Sequence, residues 1–132
     1  MSKMLKIHTI LVVDGNPLAR DSARRMLQSE HPGLEVVETD RFEAALRLLK
    51  THRPQVVITD IHLRQGSGLS LTEAIAKRFP DTLVVVFTHD DGPEYKDEAL
   101  RRGADHFFSK TEPDGEALLD VIRNPTSRAD GV

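Results

Sequence analysis

The chain has 132 residues, enough for one domain with a core of its own. It carries 18 Lys and Arg against 21 Asp and Glu, a formal net charge of −3, and no cysteine. That balance excludes a surface built to coat nucleic acid, and the missing thiols exclude disulfides, Cys-ligated zinc and thiol catalysis.

In chain order, Ile10-Leu11-Val12-Val13 predicts a first strand. Asn16-Pro17 then reads as an N-cap followed by proline at the first helical position, and Ala19, Ala23, Met26 and Leu27 share one face of the helix. Val36-Val37 marks a second strand. Asp40 and Glu43 have the spacing of a capping box before a helix whose apolar face is Phe42, Ala45, Leu46 and Leu49. Val56-Val57-Ile58 gives a third strand, followed by the stripe Leu71, Ala74, Ile75. Leu83 to Phe87 gives a fourth. Asp91 and Glu94 again have capping-box spacing, Tyr95 and Ala99 form a weaker apolar pair, and Gly103 stops that helix. Phe107-Phe108 is a fifth strand, and Leu118, Val121 and Ile122 make the last stripe.

From Asn124-Pro125 onward the periodicity is lost. Residues 1–124 therefore read as the domain and 125–132 as a flexible tail or the start of a linker. The opening Met1-Ser2-Lys3-Met4-Leu5-Lys6 is too short and polar for a signal peptide, and no apolar run approaches the roughly 20 residues of a membrane span. The expectation is a cytoplasmic chain with no membrane partner.

Strict strand–helix alternation implies an α/β sandwich around a mostly parallel sheet. Continuous runs of β-branched residues suit strands buried on both faces, and right-handed crossovers place helices on both sides. Ligands of such sheets bind beyond the carboxyl ends of the strands. Those ends supply Asp14, Thr59-Asp60, Thr88 and Ser109-Lys110. Singly, each has an ordinary explanation: a strand-terminal Asp is more often a turn residue, and a lone Lys is usually solvated. Together, two carboxylates, a hydroxyl and an ammonium on one rim can hold a divalent cation and a phosphoryl group.

With these residues, the chain resembles the receiver domain of response regulators (CheY-like, two-component signalling) over roughly residues 7 to 123. Ile10-Leu11-Val12-Val13-Asp14 resembles the first strand with its acidic end. Val57-Ile58-Thr59-Asp60, followed by Gly68, resembles the phosphoacceptor strand and its loop. Phe87-Thr88 resembles the switch-threonine strand, and Gly103-Ala104-Asp105-His106-Phe107-Phe108-Ser109-Lys110 the fifth strand with its switch aromatic and lysine. The resemblance implies a flavodoxin-like (βα)5 fold with strand order 2-1-3-4-5. It also implies a phosphoacceptor domain and not an enzyme with a separate substrate. A sensor histidine kinase, or a small phosphodonor, would deliver a phosphoryl group to Asp60. Mg²⁺ would sit on Asp14, Asp60 and the backbone carbonyl of His62. Lys110 would pair with the phosphate, and Thr88 and Phe107 would switch the surface that partners read. The downstream partner would be an effector or a fused output domain, with transcription regulation one such output. The domain itself would not bind nucleic acid directly. The mixed charges of Glu94, Lys96, Asp97, Glu98, Arg101 and Arg102 leave room for a weak homodimer but do not call for one.

Several positions depart from the family's pattern. Gly15 stands where a second acid usually follows Asp14, which predicts weakened Mg²⁺ binding. Arg64 and Thr111 stand where proline is usual, and His89 stands where a small residue is common. A cis peptide after Lys110 is therefore not expected. His62, Gly15, His89 and Asp90 are the positions expected to tune the chemistry, with Asp90 a substitute metal carboxylate. His8, His31 and His52 read as surface histidines.

Three other readings compete. A degenerate receiver would act by binding a partner without phosphorylation. A phosphatase of the haloacid-dehalogenase type would use Asp14 as nucleophile, but Asn16 replaces the acid that would protonate the leaving group. A dinucleotide or flavin binder would need a glycine-rich turn after the first strand, where Gly15 stands alone.

Overall fold

A computed structural model describes residues 7–111 and 115–125. Its elements are β1 (Thr9–Val13), α1 (Pro17–Glu30), β2 (Glu35–Thr39), α2 (Phe42–His52), β3 (Val56–Thr59), α3 (Gly68–Arg78), β4 (Leu83–Thr88), α4 (Pro93–Arg101), β5 (His106–Ser109) and α5 (Gly115–Arg123). The five strands form one sheet in the order β2-β1-β3-β4-β5, and every neighbouring pair is parallel. The alternation in the sequence thus gives the expected architecture.

Strand periodicity sorts the core into two layers. Ile10, Val12, Ile58 and Val85 face Leu27 of α1 and Leu118 and Ile122 of α5. Their alternates Leu11, Val13, Val57 and Val84 face Ala45 and Leu49 of α2 and Leu71 and Ile75 of α3. A smaller cluster of Ile61, Val86, Ala99 and Ala104 joins α4 to the sheet. Burying a side chain such as Leu71 or Ile75, both fully enclosed, contributes about 1.5–3 kcal/mol. β1 and β3 are buried along their whole length, as continuous apolar runs require. β2 is not. It lies at the sheet edge and only Val36 and Val37 pack, one on each layer, while Glu35 is exposed.

The helix starts agree with the sequence at one place and differ at two. Asn16 Oδ1 accepts from the N–H groups of Leu18 at 2.9 Å and Ala19 at 3.4 Å, ahead of Pro17. The capping boxes expected at Asp40 and Asp91 do not form. The N-caps are Arg41 and Gly92, with no side-chain bond. Asp40 turns instead to Arg41 and Arg64, and its carbonyl accepts from Arg64 N–H at 2.8 Å. Those contacts lash the loop after β3 to the loop after β2. Gly103, at φ +109, ends α4 as expected. Of the expected tail at 125–132, only Pro125 is described, and it is buried; 126–132 and the segment 1–6 lie outside the described residues. Among the described residues no helix is long and apolar enough to cross a membrane.

Gly68 fixes how the end of β3 meets α3. A Cβ at this position would lie 1.8 Å from the carbonyl oxygen of Asp60 and 2.7 Å from its carbon. Both are backbone atoms, so neither can move aside. Gly68→Ala should therefore destabilise the fold by about 1–3 kcal/mol in urea denaturation. Gly33→Ala, with nothing within 4 Å of the added methyl, should change stability by less than about 0.5 kcal/mol. Equal effects at the two sites would contradict this packing.

Candidate functional site

Because all five strands are parallel, their carboxyl ends open on one rim. Asp14 follows β1, Asp60 follows β3, Thr88 ends β4 and Lys110 follows β5. The ladder extends one residue past three of these strands. Asp14 N–H donates to Thr39 O at 3.1 Å, Asp60 N–H to Val13 O at 2.9 Å, and Lys110 N–H to Thr88 O at 2.8 Å. Backbone bonding, not loop chance, aims the three side chains at each other.

They meet in a compact ion cluster. Lys110 Nζ lies 2.8 Å from Asp60 Oδ2 and 2.5 Å from Asp14 Oδ2. Thr88 Oγ1 donates to Asp60 Oδ1 at 3.0 Å, and His62 N–H donates to the same oxygen at 3.1 Å. Asp14 Oδ1 accepts from Asn16 N–H at 2.9 Å. Asp14, Asp60 and Thr88 are 6%, 8% and 0% exposed, so these bonds act in a poorly screened setting. Burial alone pushes the Asp60 carboxyl up. The hydrogen bond and charge of Lys110, with the His62 N–H and the Thr88 hydroxyl, outweigh it and hold Asp60 below its ordinary 3.8. Burial likewise pushes Lys110 down, but bonds to Asp14 and Asp60 outweigh it and hold the ammonium above its ordinary 10.5.

The cluster opens into a cleft of about 300 Å³ lined by Asp14, Gly15, Asn16, Asp60, His62, Leu63 and Arg64. Gly15 N–H donates to the His62 carbonyl at 3.2 Å. A Cβ on Gly15 would stand 3.1 Å from that carbonyl oxygen and 3.4 Å from Arg64 N. A side chain at 15 would thus press the His62 carbonyl by a few tenths of an ångström and sit in contact with the backbone of 63 and 64. Among the described residues no three His, Cys, Asp or Glu side chains gather as metal ligands. Two carboxylates do gather, and the His62 carbonyl keeps a second lone pair. That set suits Mg²⁺, which binds through one or two carboxylates and keeps several waters.

The other expected site residues fall around this centre. His62 and Asp90 pair through Nε2 and Oδ2, linking the loop after β3 to the loop after β4. Asp90 is thereby engaged with His62 and does not line the cleft. Its N–H donates to Thr88 Oγ1 at 3.1 Å. His89 is exposed and also stands outside the cleft lining. Phe107 is half-buried against the cluster of Ile61, Val86 and Ala99. No peptide bond among the described residues is cis, the one after Lys110 included. His8, His31 and His52 are exposed, as expected.

Sequence reasoning missed the supporting contacts of four residues. Phe87 places its ring under Lys110, 5.8 Å from Nζ to centroid, although Phe87 reads only as a strand residue. Arg20 donates to the Asp14 carbonyl at 2.8 Å and to Glu38 at 3.1 Å, which a helix-surface arginine does not announce. Ser109 and Thr111, either side of Lys110, both donate to Asp91.

The ion cluster dictates a stability profile. Asp60 is lowered, so its contribution is whole above 3.8 and is lost as pH falls through the lowered value. Lys110 is raised, so its contribution is whole below 10.5 and is lost as pH rises through the raised value. Between those limits Lys110→Met, which strands two buried carboxylates, should be less stable than the parent by about 3–5 kcal/mol. Urea denaturation at several pH values should find that gap narrowing at both extremes; a gap independent of pH would contradict the assignment.

The family profile described as response regulator receiver domain matches residues 10–123. Transcriptional regulatory protein DegU of Brevibacillus brevis is 30% identical over 115 residues, covering 86% of this chain and 48% of the relative. Oxygen regulatory protein NreC of Staphylococcus epidermidis is 35% identical over 115 residues, covering 85% of this chain and 52% of the relative. The chain thus spans about half the length of the curated relatives it matches. Among solved structures, a two-component response regulator of the LuxR family from Aurantimonas sp. SI85-9A1 superposes with a TM-score of 0.80 at 27% identity, covering 89% of this chain and 84% of that one. The strand order, the ion cluster at the strand ends and these matches agree: this chain belongs to the response regulator receiver domain family.

Proposed function

We propose that this receiver accepts a phosphoryl group on Asp60 from a sensor histidine kinase and signals through the conformational change that follows. One observation carries the proposal. Asp60 is a buried, ionised carboxylate held by Lys110, Thr88 and the His62 N–H, and it borders an open cleft. An Asp60 oxygen attacks the phosphorus in line, a P–O bond forms, and the bond to the donor's nitrogen or oxygen breaks with the electron pair leaving on the donor. Little covalent work falls to the protein, so positioning and charge supply the catalysis. Lys110, already beside Asp60, pairs with the transferred group. Thr88 donates its hydroxyl to a phosphoryl oxygen in place of Asp60 Oδ1. A Mg²⁺ ion held by Asp14, Asp60 and the His62 carbonyl would neutralise charge on the transferring group. Gly15 supplies no carboxylate, so the ion would be held more weakly than where an acid follows Asp14.

The signal leaves through β4 and β5. Thr88 precedes the loop to α4, and Phe107 packs against the buried cluster that holds Ala99 of that helix. A local charge at Asp60 then biases two packings of one surface. The reader of that surface is a separate effector or a fused output domain, with transcription regulation the output that the DegU name suggests. The kinase and effector meet this domain in the cytoplasm; residues 1–124 read as the receiver and 125–132 as a tail or the start of a linker.

A second reading has its own observation. The Gly15 N–H bonds the His62 carbonyl, and the Thr88 hydroxyl bonds Asp60 directly. Both suit a receiver that binds its partner unphosphorylated.

Incubation with acetyl phosphate and Mg²⁺, read by intact mass, separates the two. A single phosphoryl adduct that disappears in Asp60→Asn is the expected result, and no adduct from folded protein at any Mg²⁺ concentration would favour the second reading. Gly15→Asp should lower the Mg²⁺ concentration for half-maximal adduct formation by about tenfold, because it adds a charged ligand. It should also cost about 1 kcal/mol of stability, since its Cβ presses the His62 carbonyl.

A further inference from the structure

The residues that flank Lys110 are tied to a carboxylate that belongs to no strand end. Asp91 lies in the turn before α4, and its Oδ2 accepts from Ser109 Oγ and from Thr111 Oγ1, each at 2.7 Å. The two hydroxyl oxygens are 2.6 Å apart, and Thr111 N–H donates to Ser109 Oγ at 3.0 Å. Lys110 is the residue between them, with its own N–H bonded to Thr88 O at 2.8 Å. The backbone is therefore gripped at three successive residues, 109, 110 and 111, just where the lysine leaves the sheet.

We propose that Asp91 is a positioning residue for Lys110: by clamping Ser109 and Thr111 it keeps the lysine ammonium over Asp60 when their ion pair is disturbed. The need for such a device follows from the side chain. A lysine is a point charge on a flexible four-carbon stem, unlike the preorganised fork of arginine. At rest its head is held by Asp14, Asp60 and the face of Phe87. Phosphorylation of Asp60 would spend one of those carboxylate contacts, and an unclamped stem could then swing to solvent. Asp91 suits the task as a charged acceptor. The Ser109 and Thr111 hydrogen bonds hold its carboxyl below the ordinary value, so it is ionised at neutral pH. It has no competing duty as a helix cap, since Gly92 is the N-cap of α4. Its place one residue before that cap also means that the lysine's footing and the start of α4 are held by one side chain.

The consequence for rate rests on Asp60 being the phosphoacceptor; the consequence for Lys110 itself does not. The test is therefore made on the full chain with two readouts. The first is the mobility of the Lys110 side chain, read by NMR relaxation of its terminal Cε–Nζ group and assigned by its loss in Lys110→Arg. In Asp91→Ala that group should be more mobile than in the parent. The second is the rate of adduct formation with acetyl phosphate, which should fall about tenfold or more, as misplaced reacting groups do. Asp91→Asn keeps an oxygen acceptor for the hydroxyls and should stay within about threefold of the parent. Ser109→Ala with Thr111→Val removes the clamp from the other side. It should match Asp91→Ala, and adding Asp91→Ala to it should change neither readout further. This pair also serves if Asp91→Ala does not fold. A folded Asp91→Ala protein with the parent's Lys110 side-chain mobility overturns the proposal, as does full additivity with the hydroxyl pair. If the parent forms no adduct yet Lys110 is loosened as expected in the variants, the phosphoacceptor reading fails and the positioning role stands.

Discussion

The rest of the site depends on one arrangement: a single ammonium shared by two buried carboxylates from different strands. Charges withdrawn from water are unfavourable unless each is paired and hydrogen-bonded. Lys110 satisfies Asp14 and Asp60 at once, and Asn16, His62 and Thr88 supply the remaining donors. Among the described residues no buried side-chain polar atom is left without a partner. The arrangement is possible because parallel strands open on one rim, β1 and β3 ending level, with the ladder continuing through the site residues themselves. The cluster spans 96 residues of chain between Asp14 and Lys110, so it forms only when the whole sheet is in place.

Around that centre the loops are tied to one another as well as to the sheet. His62 bonds Asp90, Asp91 bonds Ser109 and Thr111, and Arg64 bonds Asp40. Consecutive acids in the turn after β4 thus face opposite ways, one to each neighbouring loop. Such a rim resists local opening, which suits a site whose work is to hold charges still. One of these linked loops, the turn after β4, leads into α4, whose buried residue is Ala99.

The fold and the four central residues were legible in the sequence because they follow from periodicity. Runs such as Val56-Val57-Ile58 identify strands, and whatever follows a parallel strand must lie on the rim. The ends of the helices were less legible. Asp40 and Asp91 have the spacing of capping boxes, yet tertiary partners took both: Arg64 for the first, Ser109 and Thr111 for the second. A local motif lost to a contact tens of residues away is invisible to local reading. Phe87 and Arg20 were missed for a related reason, since their residue types fit a strand and a helix surface and only the assembled site gives them a second role. Gly15 was recognised as a departure, but the approach of the 62–64 backbone to it depends on loop geometry that no spacing encodes.

The half-buried edge strand β2 has a bearing on solution behaviour. An open sheet edge is a template on which another chain can add a strand. Here that edge carries Glu35 and Glu38, with Glu38 gripped by Arg20 and Arg24 and Glu35 bonded to Thr9. A second copy approaching edge to edge would meet its own like charges in register and would have to break ion pairs to α1. Strand addition at this edge of the sheet is thereby disfavoured.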